Sequence, residues 1–161
     1  MTVRDPEGAT VVLLDDEPLV TRSLEALLRM ETSWTVRAFN RPEEALQALE
    51  SLEPDAIVAD FLMPGLDGLA FLRRARECLP LASRILLTGY ADKQNAIRSI
   101  NEVGLYQYVE KPWDNDAMLL LLRNAVERTR ILKQVERLVR RLAESDRSLD
   151  ELRSRLLKAF V

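Results

Sequence analysis

The chain has 161 residues, 47% apolar and 30% charged, which suits one domain with a real core plus an appendage and excludes a disordered polyelectrolyte. It contains no histidine, which rules out Ser-His-Asp catalysis, histidine-ligated zinc and any phosphohistidine carried by this chain. The net charge of −3 is uneven, with 12 basic against 18 acidic residues up to Trp113 and 11 against 8 from Asp114 onward. Chemistry is therefore sought among the carboxylates, and the mildly basic end reads as a solvated helix face, not a nucleic-acid contact. The lone Cys78 cannot form an internal disulfide, which fits a reducing cytoplasm; near the end of a helical stretch it reads as a packing residue. No apolar run approaches a membrane span, and Met1 to Pro6 lacks the layout of a secretory signal.

After about eight loose residues, Val11-Val12-Leu13-Leu14 predicts a buried strand, and Pro18 opens a helix to about Met30. Trp34 to Phe39 alternates like a strand with one face covered. Pro42 opens a second helix, with Ala45, Leu46, Leu49 and Leu52 on its apolar side. Ala56 to Ala59 is the third strand, and Leu69 to Leu79 contains the third helix. Ile85-Leu86-Leu87 is the fourth strand, followed by a polar helix around Ala96, Ile97 and Ile100 that Gly104 ends. Tyr106 to Val109 is the fifth strand, and everything after Pro112 reads as helix. Trp34 and Trp113 read as packing residues.

The resulting (βα)5 pattern predicts an α/β fold, a doubly wound parallel five-stranded sheet with helices on both faces and an extended C-terminal helix. Ligands of such sheets bind outside the carboxyl ends of the strands. Strand one ends in Asp15-Asp16, strand three in Asp60, strand four in Thr88 and strand five in Lys111-Pro112; strand two ends in Asn40-Arg41, which offers nothing comparable. Carboxylates converging on one edge repel unless a cation sits among them, and Mg2+ suits all-oxygen ligation. An ammonium beside them and a hydroxyl opposite complete a site for a tetrahedral anion such as a phosphoryl group. Whether Asp15 or Glu17 assists the metal is left open by the sequence.

The stretch Val11 to Pro18 resembles the opening of bacterial response-regulator receiver domains, and Asp60-Phe61-Leu62-Met63-Pro64-Gly65-Leu66-Asp67-Gly68 resembles their phosphorylation loop. Leu86-Leu87-Thr88-Gly89 and Lys111-Pro112 match the two remaining signatures, and the likeness covers residues 9 to 128 in order and spacing. This resemblance implies the flavodoxin-like strand order 2-1-3-4-5. It implies that Asp60 is the phosphoacceptor, served by a sensor histidine kinase or a phosphotransfer protein. It implies Mg2+ as cofactor, held by Asp16, Asp60 and the backbone carbonyl of Leu62, with Asp15 acting mainly through bound water. Lys111 would pair with the phosphoryl oxygens, Thr88 would swing toward them, and Tyr108 would be the aromatic switch that turns inward as Thr88 moves. Such a chain catalyses only its own phosphorylation and dephosphorylation.

Three rivals fit less well. An aspartyl-phosphate phosphatase places its nucleophile at strand one in an Asp-x-Asp arrangement, whereas Asp15-Asp16-Glu17 lacks the second Asp. A nucleotide-binding module needs a glycine-rich loop after strand one, and Asp16 to Leu19 provides none. A receiver serving only as a non-phosphorylated interaction module would lack site residues that are all present here.

Beyond the receiver (9–128), residues 129–161 continue as helix. Ile131, Val135, Leu138, Leu142, Ser145, Leu149, Leu152 and Leu156 follow alternating spacings of four and three, with Ser145 the single polar member. A seam this narrow predicts a coiled coil and a parallel homodimer, in preference to a helix folded back on the receiver, which needs a broader apolar face. The pattern runs on through Ala159 to Val161, as expected of a connector to an output domain.

Overall fold

The computed structural model describes residues 7–159, apart from the side chains of Tyr90, Ser99, Asn101 and Glu102. Residues 1–6 of the expected loose N-terminus, and Phe160 and Val161 at the end of the expected seam, lie outside the described residues. The elements are β1 (Thr10–Leu14), α1 (Pro18–Glu31), β2 (Thr35–Phe39), α2 (Pro42–Leu52), β3 (Ala56–Asp60), α3 (Gly68–Cys78), β4 (Ser83–Thr88), a 3-10 turn (Tyr90–Asp92), α4 (Lys93–Val103), β5 (Gln107–Glu110) and α5 (Asn115–Ala159). All strand pairs are parallel and the order is β2-β1-β3-β4-β5, the order that the resemblance implies.

Local chemistry sets most of these boundaries. Proline, whose fixed φ suits a first helical turn and whose missing N–H costs nothing there, opens α1 and α2. The Asp67 side chain caps α3 by accepting from the Ala70 N–H at 2.8 Å. Gly104 ends α4 in the left-handed region at φ +63°, which a side chain would disfavour. The last helix starts later than the sequence reading placed it. Asp114 Oδ1 accepts from the Ala117 N–H at 2.9 Å, so helix begins at Asn115, and Trp113 stays in the loop.

The period of two in the strands divides the core into two layers. Val11, Leu13, Val36, Val58, Ile85 and Leu87 point to one face and pack with Leu24 and Leu28 of α1 and Met118, Leu122 and Val126 of α5. Val12, Leu14, Ile57, Ala59 and Leu86 point to the other and meet Leu49 of α2, Phe71 and Leu72 of α3, and Ala96 and Val103 of α4. Each of these side chains larger than alanine contributes about 1.5–3 kcal/mol on burial. Trp34 is buried as expected, and Trp113 packs half-buried against the first layer. Cys78 departs from its expected packing role: it shares the helical phase of the buried Phe71 and Ala75 but, as the last residue of α3, has its side chain exposed. No described helix is long and apolar enough to cross a membrane.

Two compact units divide between Thr129 and Arg130. In the first, α5 is tied to the sheet by a buried polar cluster. Thr129 Oγ1 donates to the Asp55 carbonyl at 2.6 Å and lies 2.8 Å from the Ser83 hydroxyl, which itself lies 2.9 Å from the Ala125 carbonyl. Thr129 is fully buried, so its hydroxyl has no water to fall back on. In the second unit the helix from Arg130 is exposed along the predicted seam: Ile131, Val135, Leu138, Leu142, Leu149, Leu152 and Leu156 all keep half or more of their surface. Thr129→Val, nearly isosteric, is expected to destabilise the first unit by about 1–2 kcal/mol, read as a lower urea midpoint at unchanged slope.

Candidate functional site

The carboxyl edge of the sheet gathers the charged residues. Asp15 and Asp16 follow β1, Asp60 ends β3 and Lys111 follows β5, so parallel pairing of β1 with β3 and of β3 with β4, then β4 with β5, places them together. Lys111 Nζ lies 2.7 Å from Asp15 Oδ2 and 3.1 Å from Asp60 Oδ1. Asp15 and Asp60 are buried, whereas Asp16 is exposed at the rim. Carboxylate oxygens of the three lie within 4.8 Å of one another. Glu17 does not belong to this group among the described residues; its backbone N–H instead donates to Asp15 Oδ1 at 2.9 Å. The Lys111–Pro112 peptide is cis.

One ammonium cannot neutralise three carboxylates. Burial, and after it the Asp15 charge, pushes the Asp60 carboxyl up to about 6 despite Lys111. Burial also raises Asp15, outweighing its hydrogen bond to Lys111. Burial pulls Lys111 down, but the hydrogen bond and charge of Asp15, helped by Asp60, overcome it and hold the ammonium above its ordinary range. The surplus of negative charge and the all-oxygen donor set fit a hard divalent cation such as Mg2+, which keeps several of its own waters.

The loop after β3 is folded tightly around the Asp60 backbone. The Gly68 N–H donates to the Phe61 carbonyl at 2.9 Å, and a Cβ at Gly68 would lie 1.9 Å from the Asp60 carbonyl oxygen. Gly65 turns the loop at φ +88°. Leu62, two residues beyond Asp60, has its side chain exposed, while Met63 is buried in the second core layer. Thr88 is at the end of β4, fully buried, with its hydroxyl directed to the Val109 carbonyl at 3.5 Å. Tyr108 is half-buried on β5 against the second core layer.

The end of β2 contributes more than its sequence promised. The Asn40 side-chain amide donates to the Asp15 backbone carbonyl at 2.8 Å and to the Thr21 hydroxyl at 3.1 Å. The rule of reading strand ends pointed at this residue, but a search for charge passed over a neutral amide.

The chain matches the sequence profile of the response regulator receiver domain over residues 11–123. It is 40% identical over 120 residues to the hydrogenase transcriptional regulatory protein HoxA of Cupriavidus necator, covering 74% of this chain and 24% of that one. It is 32% identical over 128 residues to the DNA-binding transcriptional regulator NtrC of Proteus hauseri, covering 80% of this chain and 27% of that one. The chain thus spans about a quarter of the length of these relatives. Among solved structures, the signal receiver domain of an HD domain-containing protein from Pseudomonas fluorescens Pf-5 superposes with a TM-score of 0.72 at 33% identity, covering 77% of this chain and 98% of that one.

The crowded carboxylates make a stability prediction. The folded value of Asp60, about 6, lies above its ordinary 3.8, so ionising it disfavours the fold. The penalty is absent below pH 3.8, grows between there and 6, and is constant above. In metal-free buffer at pH 7.5, Asp60→Asn should raise stability by about 1–2 kcal/mol, a few degrees in the thermal midpoint. The gain should fade as pH falls through 6 toward 4, which a pH series of melting curves checks.

Proposed function

We propose that this chain, which belongs to the response regulator receiver domain family, takes a phosphoryl group onto Asp60 from a phosphohistidine on a sensor histidine kinase or phosphotransfer protein. The observation that carries the reading is Lys111 standing between the buried carboxylates of Asp15 and Asp60 beside a third, Asp16. With a carboxyl titrating at about 6, Asp60 is mostly ionised at neutral pH and has a free lone pair for attack. An Asp60 oxygen bonds to phosphorus as the phosphorus–nitrogen bond of the donor breaks, and the electron pair leaves on the imidazole, which takes its proton from water. Lys111 pairs with the phosphoryl oxygens, exchanging its two carboxylate partners for the new anion.

Asp15, Asp16, Asp60 and the Leu62 carbonyl are the groups assigned to Mg2+, which when bound neutralises charge on the transferring phosphoryl oxygens. Thr88 turns from the Val109 carbonyl to the acyl phosphate, and Tyr108 follows it inward as the switch. A groove of about 450 Å³ lined by Leu19, Val20, Ser23, Trp113 and Asn115 opens beside Lys111 and gives the donor protein an apolar surface next to the site. The chain acts on no separate substrate, catalysing only its own phosphorylation and dephosphorylation. With acetyl phosphate and Mg2+, intact-mass analysis should show one added phosphoryl group. Asp60→Asn or chelation of the metal should abolish it, and equal labelling of Asp60→Asn would refute the assignment.

Residues 9–128 form the receiver in this reading, and 129–161 a coiled-coil extension of its last helix. The exposed seam supports a parallel homodimer: Val135, Leu142, Leu149 and Leu156 take a positions, and Ile131, Leu138, Ser145 and Leu152 take d. In that register Arg141 at g meets Asp146 at the partner's following e, an exposed pair contributing a fraction of a kcal/mol at most. Because the curated relatives are named transcriptional regulators, control of transcription is the proposed output, passed on through this helix in the cytoplasm without direct DNA contact by the chain. Sedimentation at micromolar concentration should show a dimer that truncation after Thr129, the end of the first unit, abolishes and Ser145→Leu tightens; a monomeric full chain would refute the coil.

A further inference from the structure

Asp16 is the exposed member of the carboxylate group, and its place depends on the peptide that precedes it. Both peptides of Asp15 are held from the end of β2, the one before it through its N–H and the one leading to Asp16 through its carbonyl. The Asp15 N–H donates to the Phe39 carbonyl at 3.2 Å, and the Asp15 carbonyl accepts from Asn40 Nδ2 at 2.8 Å. A carbonyl only accepts, so the nitrogen of the Asn40 amide must be the atom facing it. The same nitrogen donates to Thr21 Oγ1 at 3.1 Å, and that hydroxyl, buried in the first turns of α1, donates to the Pro18 carbonyl at 3.1 Å. Asn40 therefore ties the Asp15–Asp16 peptide to β2 on one side and to α1 on the other.

The plane of that peptide sets the direction in which the Asp16 Cα–Cβ bond leaves the chain. Asp15 needs no such help, because its carboxylate is fixed by Lys111 at 2.7 Å and the Glu17 N–H at 2.9 Å. Against the mutual repulsion of three carboxylates, an untethered Asp16 would turn outward to water. We propose that Asn40 is a positioning residue for the divalent cation, holding the Asp15–Asp16 peptide so that the Asp16 carboxylate faces Asp60 and Asp15. The inference rests on the phosphoacceptor reading above. Hydrogen bonds that orient ligands from outside the coordination shell typically change metal affinity about 10- to 100-fold, and one amide on a neighbouring carbonyl belongs at the lower end.

The test is a Mg2+ titration of the unphosphorylated full chain, followed by amide chemical shifts of residues 14–17, for the parent, Asn40→Ala, Asn40→Leu and Thr21→Val. Both Asn40 variants should bind Mg2+ about ten-fold more weakly, while Thr21→Val, which keeps the bond to Asp15, should change affinity less than about three-fold. Phosphorylation by acetyl phosphate should need correspondingly more Mg2+ for half its maximal rate, with the rate at saturating Mg2+ within about two-fold of the parent, a separation that general loss of structure would not give. Unchanged Mg2+ affinity in both Asn40 variants, with the parent binding normally, would overturn the role of Asn40 alone. A parent that neither binds Mg2+ nor becomes phosphorylated would remove the reading of the site, and this inference with it.

Discussion

Lys111 and the three carboxylates around it form a charge cluster that the rest of the fold must hold together against its own repulsion. The parallel sheet does this by burying two aliphatic layers behind the cluster, so that β1, β3 and β5 cannot separate at their carboxyl ends without opening the core. The cost shows in the raised Asp60 and Asp15 carboxyls and is offset in part by the raised Lys111. A site assembled under such tension suits the proposed role, since an added cation or phosphoryl group would shift its balance of charge.

Much of this was legible from sequence because the signals are periodic or charged. Runs such as Val11 to Leu14 and Ile85 to Leu87 marked the strands, prolines marked α1 and α2, and acids or a lysine at strand ends marked the site. Resemblance to the receiver family supplied the strand order, which no local pattern could. The start of α5 was missed because Asp114 caps through a side-chain oxygen three residues before the N–H it accepts, and Pro112 looked like the more obvious opening. Cys78 has the helical phase of Phe71 and Ala75, so periodicity points it inward, yet at the last position of α3 it is exposed. Asn40 escaped for a different reason: its contribution is a donated hydrogen bond to a backbone atom 25 residues away, which leaves no trace in composition or period.

The last helix serves two environments with one backbone. Up to Thr129 its apolar residues belong to the first core layer, and the stripe is wide; from Ile131 it narrows to positions spaced by four and three. A wide stripe is what a helix covering a sheet needs, and a narrow one fits the coiled coil proposed for the extension. Thr129, hydrogen-bonded among Asp55, Ser83 and Ala125, is the last residue of the first unit.

At Gly68 a missing side chain sets the mechanics of the site. The first residue of α3 approaches the Asp60 carbonyl so closely that the space for a methyl group is already taken by that oxygen. There is consequently little slack between the Asp60 backbone and the helix that follows it. A displacement of Asp60 toward that contact would meet the first turn of α3 at once, with no side chain between them to absorb it.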